Sequence, residues 1–224
     1  MTKDKLMRML FKPMLAAMLV FFTASANATP IKLEISENAD FSGMVVSAVD
    51  TDDDGMVSIN SGLGSWVANV VTGFSSPLIG DEYVDRIDLF SANISGGEGT
   101  IYVRLTGAGF EGSQAQSQYT TAFGGTTDGT VSFQSYADAT NADFGQGFLL
   151  SDSGDISTGA FSGQDSGSVL LTDLYSLSIY AAITHDAGLQ MTSFDYIVSV
   201  PEPGTLALLG FGLLGLGLAR RRKA

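Results

Sequence analysis

Along the middle of the chain, apolar and polar positions alternate with a period of two, as in strands that bury one face. Ile31, Leu33 and Ile35 share one side, opposite Lys32 and Glu34. Ile101, Val103 and Leu105 alternate with Tyr102, Arg104 and Thr106. Val131 and Phe133 make a short stripe. Leu177, Ile179, Ala181 and Ile183 make a longer one, and Phe194, Tyr196, Val198 and Val200 make the last. Turn formers separate these runs at residues 73–80, Gly96-Gly97, residues 107–112, Gly124-Gly125, Asp128-Gly129 and residues 151–154. No long helical period appears between the two ends. The pattern predicts an all-β domain, a single β-sandwich of jelly-roll type. Residues 151–167 carry few apolar side chains and read as a long loop or short edge strands.

The two ends follow a different pattern. Lys3, Lys5, Arg8 and Lys12 precede a short apolar run, Met14 to Phe22. Ala26 and Ala28 supply the small residues that signal peptidase needs at the −3 and −1 positions. Residues 1–28 therefore read as a signal peptide for the Sec machinery, cleaved after Ala28. At the other end, Pro201-Glu202-Pro203-Gly204 precedes a glycine-rich apolar run over 205–219 and then Arg220, Arg221, Arg222 and Lys223. The prolines hold an extended stretch. As a helix at ~1.5 Å per residue, the apolar run spans roughly 22 Å, short of a ~30 Å hydrocarbon core. The basic cluster, over 220–223, stays on the cytoplasmic side and leaves the domain outside.

This tail closely resembles the PEP-CTERM sorting signal, over 200–224. The resemblance implies recognition by an exosortase, with processing near Pro201, Glu202 and Pro203. It implies a protein held briefly in the inner membrane, then placed at the cell surface or in an extracellular polysaccharide matrix such as a biofilm. Softer motifs, among them residues 62–73 and 176–185, resemble a recurring group of PEP-CTERM ectodomains that have no assigned activity.

Composition sharpens the picture of the exported domain, residues 29–199. Of 11 basic residues in the chain, eight lie in the two ends, leaving Lys32, Arg86 and Arg104. Of 24 acidic residues, only Asp4 and Glu202 lie in the ends, leaving 22 and a formal charge of −19. Such a surface repels nucleic acid and attracts divalent cations. There is no cysteine, which excludes disulfides, thiolate metal sites and cysteine nucleophiles.

Few residues suggest chemistry. Asp50, Asp52, Asp54 and Gly55 form D-x-D-x-D-G, in which alternate carboxylates converge on a hard cation and the glycine permits a sharp turn. A backbone carbonyl near Met56 and an acid from elsewhere in the chain would complete a calcium site. Ser61 stands where a closing bidentate acid is expected. Asp81, Glu82, Asp85 and Asp88 around Arg86 read as a solvated edge. His185, the single histidine, lacks a G-x-S-x-G serine and reads as a turn residue rather than a catalytic base. Trp66 reads as core. Tyr83, Tyr102, Tyr119, Tyr136 and Tyr175 offer aromatic surface for carbohydrate. No catalytic residue is assigned. The expectation is a non-enzymatic structural or adhesive ectodomain. The alternatives are a carbohydrate- or calcium-binding module, or a secreted glycan hydrolase with two facing carboxylates.

Overall fold

A computed structural model describes residues 30–80, 84–113 and 115–201. Eleven antiparallel strands make up its regular structure: β1 (Ile31–Ser36), β2 (Val45–Val49), β3 (Met56–Leu63), β4 (Trp66–Phe74), β5 (Val84–Gly96), β6 (Gly99–Glu111), β7 (Gln116–Asp138), β8 (Phe148–Asp152), β9 (Ile156–Leu170), β10 (Leu174–His185) and β11 (Met191–Pro201). The signal-peptide residues and the tail beyond Pro201 lie outside the described residues.

All the strands belong to one hydrogen-bonded path, and that path folds over on itself at β7. The first half of β7, to Thr127, pairs with β11 and β9. Its second half, from Thr130, pairs with β10 and β8, and at Thr130 and Val131 also with the start of β9. One leaf therefore runs β2-β1-β6-β10-β7-β8, and the other runs β9-β7-β11-β5-β4-β3. A strand that switches sheets at an irregularity is how such corners form. Two connections cross between the leaves alongside it: β5 (leaf two) leads into β6 (leaf one), and β10 (leaf one) leads into β11 (leaf two). This is the wrap of a jelly roll.

The predicted stripes face one another between the leaves. Ile31, Leu33, Ile101, Val103, Leu105, Val131, Phe133, Leu177, Ile179, Ile183, Tyr196 and Val198 are all fully buried. Phe133 on leaf one lies 5.1 Å from Phe194 and 5.3 Å from Tyr196 on leaf two, ring centre to ring centre. Residues 151–167 depart from expectation. Most of them belong to β9, a single 15-residue strand rather than a loop. An edge strand needs few apolar residues, because its ladder to β7 satisfies the backbone, and among its larger side chains Ile156, Phe161 and Val169 pack toward the core.

On the outside of leaf one, Arg104 donates to Glu34 through Nε at 2.9 Å and Nη2 at 2.5 Å. Its guanidinium stacks between Phe41 and Phe144, 3.8 and 3.9 Å from the ring centres. These phenylalanines come from the loops after β1 and β7, so one arginine clamps both loops over the sheet.

His185 sits at the folded edge, 1 % exposed. It ends β10, directly before the turn, and its side chain points inward. Nδ1 faces the Gly96 carbonyl at 3.0 Å, so Nδ1 carries the proton in the neutral ring. Nε2 then accepts from the Thr192 hydroxyl at 3.0 Å. Thr192 in turn accepts from Thr127 at 2.7 Å, and Thr127 accepts the Gly129 N–H at 3.1 Å. The chain of bonds joins the bend in β7 to the β5–β6 and β10–β11 connections, and the imidazole packs on Trp66 at 4.8 Å. Gly129 permits the approach: a Cβ there would lie 2.1 Å from the Thr184 carbonyl oxygen. Replacing His185 by Phe keeps a ring but takes the ring donor from the Gly96 carbonyl and the acceptor from the Thr192 hydroxyl proton, at about 1–3 kcal/mol per group. Urea unfolding is expected to show that loss as a lower midpoint with an unchanged slope.

Candidate functional site

The loop between β2 and β3 gathers Asp50, Asp52 and Asp54, with one oxygen from each lying within 4.8 Å of the others. Two left-handed residues, Asp53 (φ 57°) and Gly55 (φ 82°), turn the chain so that the alternate carboxylates share a side. Gly55 is packed as well as turned: a Cβ would meet the Ser75 carbonyl oxygen at 2.6 Å. Asp50 is the fixed member. It is 7 % exposed, its N–H donates to the Ile31 carbonyl, and its Oδ2 accepts from Gly55 N–H at 2.9 Å. Its Oδ1 is buried with no donor. Asp54 accepts from Met56 N–H at 2.8 Å. The charge of Asp54, then contact with Asp50, holds the Asp52 carboxyl above the ordinary range. A divalent cation would relieve both that repulsion and the orphaned oxygen. The donors are hard oxygens, which suit calcium. Met56 opens β3 beside the loop, whereas Ser61 lies further along β3 with its hydroxyl on the Gly62 carbonyl.

A second carboxyl cluster had no counterpart in the sequence reading. Asp88 on β5 and Asp195 on β11 are diagonal neighbours, since Asp88 pairs with Ile197 and Asp195 with Phe90. Both project from the outer face of leaf two. Asp88 is not part of a solvated edge: it is half-buried, and Phe74 of β4 pairs with it from the other side. Its Oδ1 is buried without a donor, and the Asp195 carboxyl is in hydrogen-bonding reach. A proton shared between them satisfies what two carboxylates cannot. Burial first, then the bond to Asp195 and its charge, push Asp88 up to about 8, against a smaller opposing effect of Arg86. Of the other acids in that stretch, Asp85 accepts from Tyr175 at 2.5 Å, while Asp81 and Glu82 lie outside the described residues.

Beside the pair runs a shallow groove of about 350 Å³, lined by Phe90, Ala92, Gly124, Thr126, Ser193 and Asp195 among others. Only Asp195 brings a charge.

The tyrosines do not form one platform. Tyr175 is buried against Phe110, Tyr119 packs toward the core, and Tyr136 stands edge-on to Tyr180 on leaf one. Tyr83 lies outside the described residues. Trp66 is core, at 2 % exposure. Of the sorting residues, Pro201 ends β11, while Glu202, Pro203, Arg220, Arg221 and Arg222 lie outside the described residues, as do Ala26 and Ala28.

Residues 199–223 match the PEP-CTERM protein-sorting motif. The motif marks an exported protein, anchored briefly by its C-terminus and then sorted to the cell surface. No curated protein matches the chain. Among solved structures, the K1 cleaved adhesin domain of Lys-gingipain from Porphyromonas gingivalis W83 is similar at 14 % identity and a TM-score of 0.36, over 66 % of this chain and 99 % of that one. The C-terminal CBM6 of LamC, a laminarinase from Zobellia galactanivorans, is similar at 13 % identity and 0.26, over 47 % and 77 %. The carbohydrate-binding module CBM36 in complex with calcium and xylotriose gives 12 % and 0.27, over 56 % and 96 %. Similarity this low transfers no ligand and no site.

The carboxyl pair makes stability depend on pH. Between its ordinary value of 3.8 and about 8, Asp88 holds a proton in the folded state that the unfolded chain releases. Its contribution is complete below the lower value and is lost as pH rises through the upper one. The melting temperature is expected to fall from about pH 4 to about pH 8 and to level off above that, and Asp88→Asn, neutral throughout, to flatten that fall. An equally steep fall in Asp88→Asn would place the titration elsewhere.

Proposed function

We propose that this chain is a non-enzymatic structural or adhesive protein of the cell surface or the extracellular polysaccharide matrix. An exosortase releases it by processing near Pro201-Glu202-Pro203, after Sec export and signal-peptide removal at Ala28. The sorting motif at 199–223 carries this reading. It follows directly on β11, so the core strand Phe194 to Val200 leads straight into the processing site. The Asp88–Asp195 pair does not suit a glycoside hydrolase. Sugar hydrolysis needs carboxyls ~5–5.5 Å or ~6.5–9.5 Å apart, and Asp88 and Asp195 are in direct hydrogen-bonding contact. His185 is committed to the folded edge.

The intact mass of the mature protein tests the reading, measured in cells with and without the exosortase. A released species starting near Thr29 and ending near Pro201, seen only with the enzyme, is expected. A membrane species that keeps Arg220 to Ala224 in both strains would make the tail a plain anchor and remove the matrix role.

A second property rests on the buried, donor-free Oδ1 of Asp50: the Asp50-Asp52-Asp54 loop, with the Met56 region beside it, binds calcium. At a hundredfold excess over Kd the expected stabilisation is about 2.7 kcal/mol, or roughly 5–10 °C in Tm. Chelator reverses it, and Asp52→Ala with Asp54→Ala abolishes it. A calcium response unchanged in that double variant would exclude the loop.

A further inference from the structure

We propose that the outer face of leaf two binds a neutral polysaccharide chain, in the groove floored by Gly124 and walled by Phe90, beside the Asp88–Asp195 pair. The choice of a polysaccharide rests on the matrix reading above; the groove and its chemistry do not.

Gly124 is the most informative residue of the groove. Its backbone is outside the left-handed region, and a Cβ built on it meets nothing closer than 3.5 Å. Neither turn geometry nor packing requires glycine there, and a strand interior ordinarily disfavours it. What its missing side chain creates is the floor of the groove. Across that floor, Asp195 pairs with Gly124 on one side and Phe90 on the other. Carboxyl, bare backbone and aromatic ring thus stand in one cross-strand row. Phe90 is 38 % exposed, in the middle of a sheet face whose other outward residues along β7 and β9 are small or polar, apart from Leu170 at the far end of β9.

This is the composition that a sugar ring needs. The C–H face of a pyranose packs on an aromatic ring, and its hydroxyls need a few fixed polar groups within a mostly apolar trough. Asp195, Thr126 and Ser193 supply those groups. Ser193 already donates to the Ala92 carbonyl, which fixes its hydroxyl and leaves it an acceptor. The trough is shallow and open, so it suits an internal stretch of a long chain rather than an enclosed end. Charge selects among polymers: a domain at −19 repels a polyanion at any distance within the screening length. Within the groove a single acid, already hydrogen-bonded to another, offers little to a polycation.

The full chain in detergent, run through native gels containing dextran, galactomannan, barley β-glucan or alginate, tests this. Retardation by at least one neutral polymer and none by alginate is expected. Gly124→Leu, which fills the floor without strain, and Phe90→Ser, which removes the wall, are each expected to weaken it about tenfold or more at an unchanged Tm. The proposal is overturned by any of four results: no retardation by any neutral polymer, stronger retardation by alginate, groove variants that bind like the parent, or release of new reducing ends from the polymer. Exosortase-dependent processing with no polymer binding would sink the groove alone. A plain anchor with Gly124-dependent binding would sink the matrix role and keep the groove.

Discussion

The fold at Asp128-Gly129 is the constraint on which the domain depends. A sheet of eleven strands with one apolar face cannot exist flat in water, because that face has nothing to cover it. Bending β7 sharply lets one continuous sheet cover itself. The bend also breaks the ladder between Thr127 and Thr130, and the backbone groups freed there need partners. Thr127 of β7 itself takes the Gly129 N–H, Gln190 from the β10–β11 crossover donates to the Asp128 carbonyl, and the Asp128 carboxylate takes the Met191 N–H. The single histidine then ties the corner to Gly96. With no cysteine available, a buried hydrogen-bonded chain does what a staple does in many exported domains.

The same economy governs charge. Three basic residues face 22 acids in the domain, and none of the three is idle. Lys32 and Arg104 both converge on Glu34, and Arg86 donates to Ser199 while sitting near Asp88. The remaining acids are left to three solutions: exposure to water, hydrogen bonding to backbone N–H groups, and sharing a proton. Asp138 and Asp152 show the second, each held below the ordinary carboxylate range chiefly by a side-chain hydrogen bond, from Thr140 and Gln134, with a backbone N–H bond adding to it. Asp88 shows the third.

These solutions differ in how far they can be read from sequence. The five apolar stripes were legible because burial on one face imposes a period of two, and the structure buries each of them. The Asp50-Asp52-Asp54 cluster was legible for a similar reason, since five residues of chain and one glycine determine it. Beta-strand 9 was not, because an edge strand is selected by its backbone ladder rather than by apolar side chains. Asp88 and Asp195 were not either. They lie 107 positions apart, and only the register of β5 against β11 makes them neighbours. A slip of one residue would send either carboxyl to the core face. The position of His185 beside a turn was legible, but its burial was not, because its side chain points back into the corner.

The two acid clusters also sit differently with respect to the tail. β1 starts and β11 ends at one end of the sandwich, where Ile31 pairs with Gly107, Pro201 pairs with Val84, and Tyr175 of leaf one reaches Asp85 of leaf two. The Asp50 loop belongs to that end, through the bond of Asp50 to Ile31 and the packing of Gly55 on residues 75–78. Phe90, Gly124 and Asp195 lie further up the face, toward the folded edge. A membrane beneath Pro201 would therefore crowd the acidic loop and leave the groove clear. A cation in the loop would neutralise the surface nearest anionic headgroups, where like charge costs most. Anchoring and polymer binding thus make demands on opposite parts of the sandwich, and the protein can meet one without giving up the other.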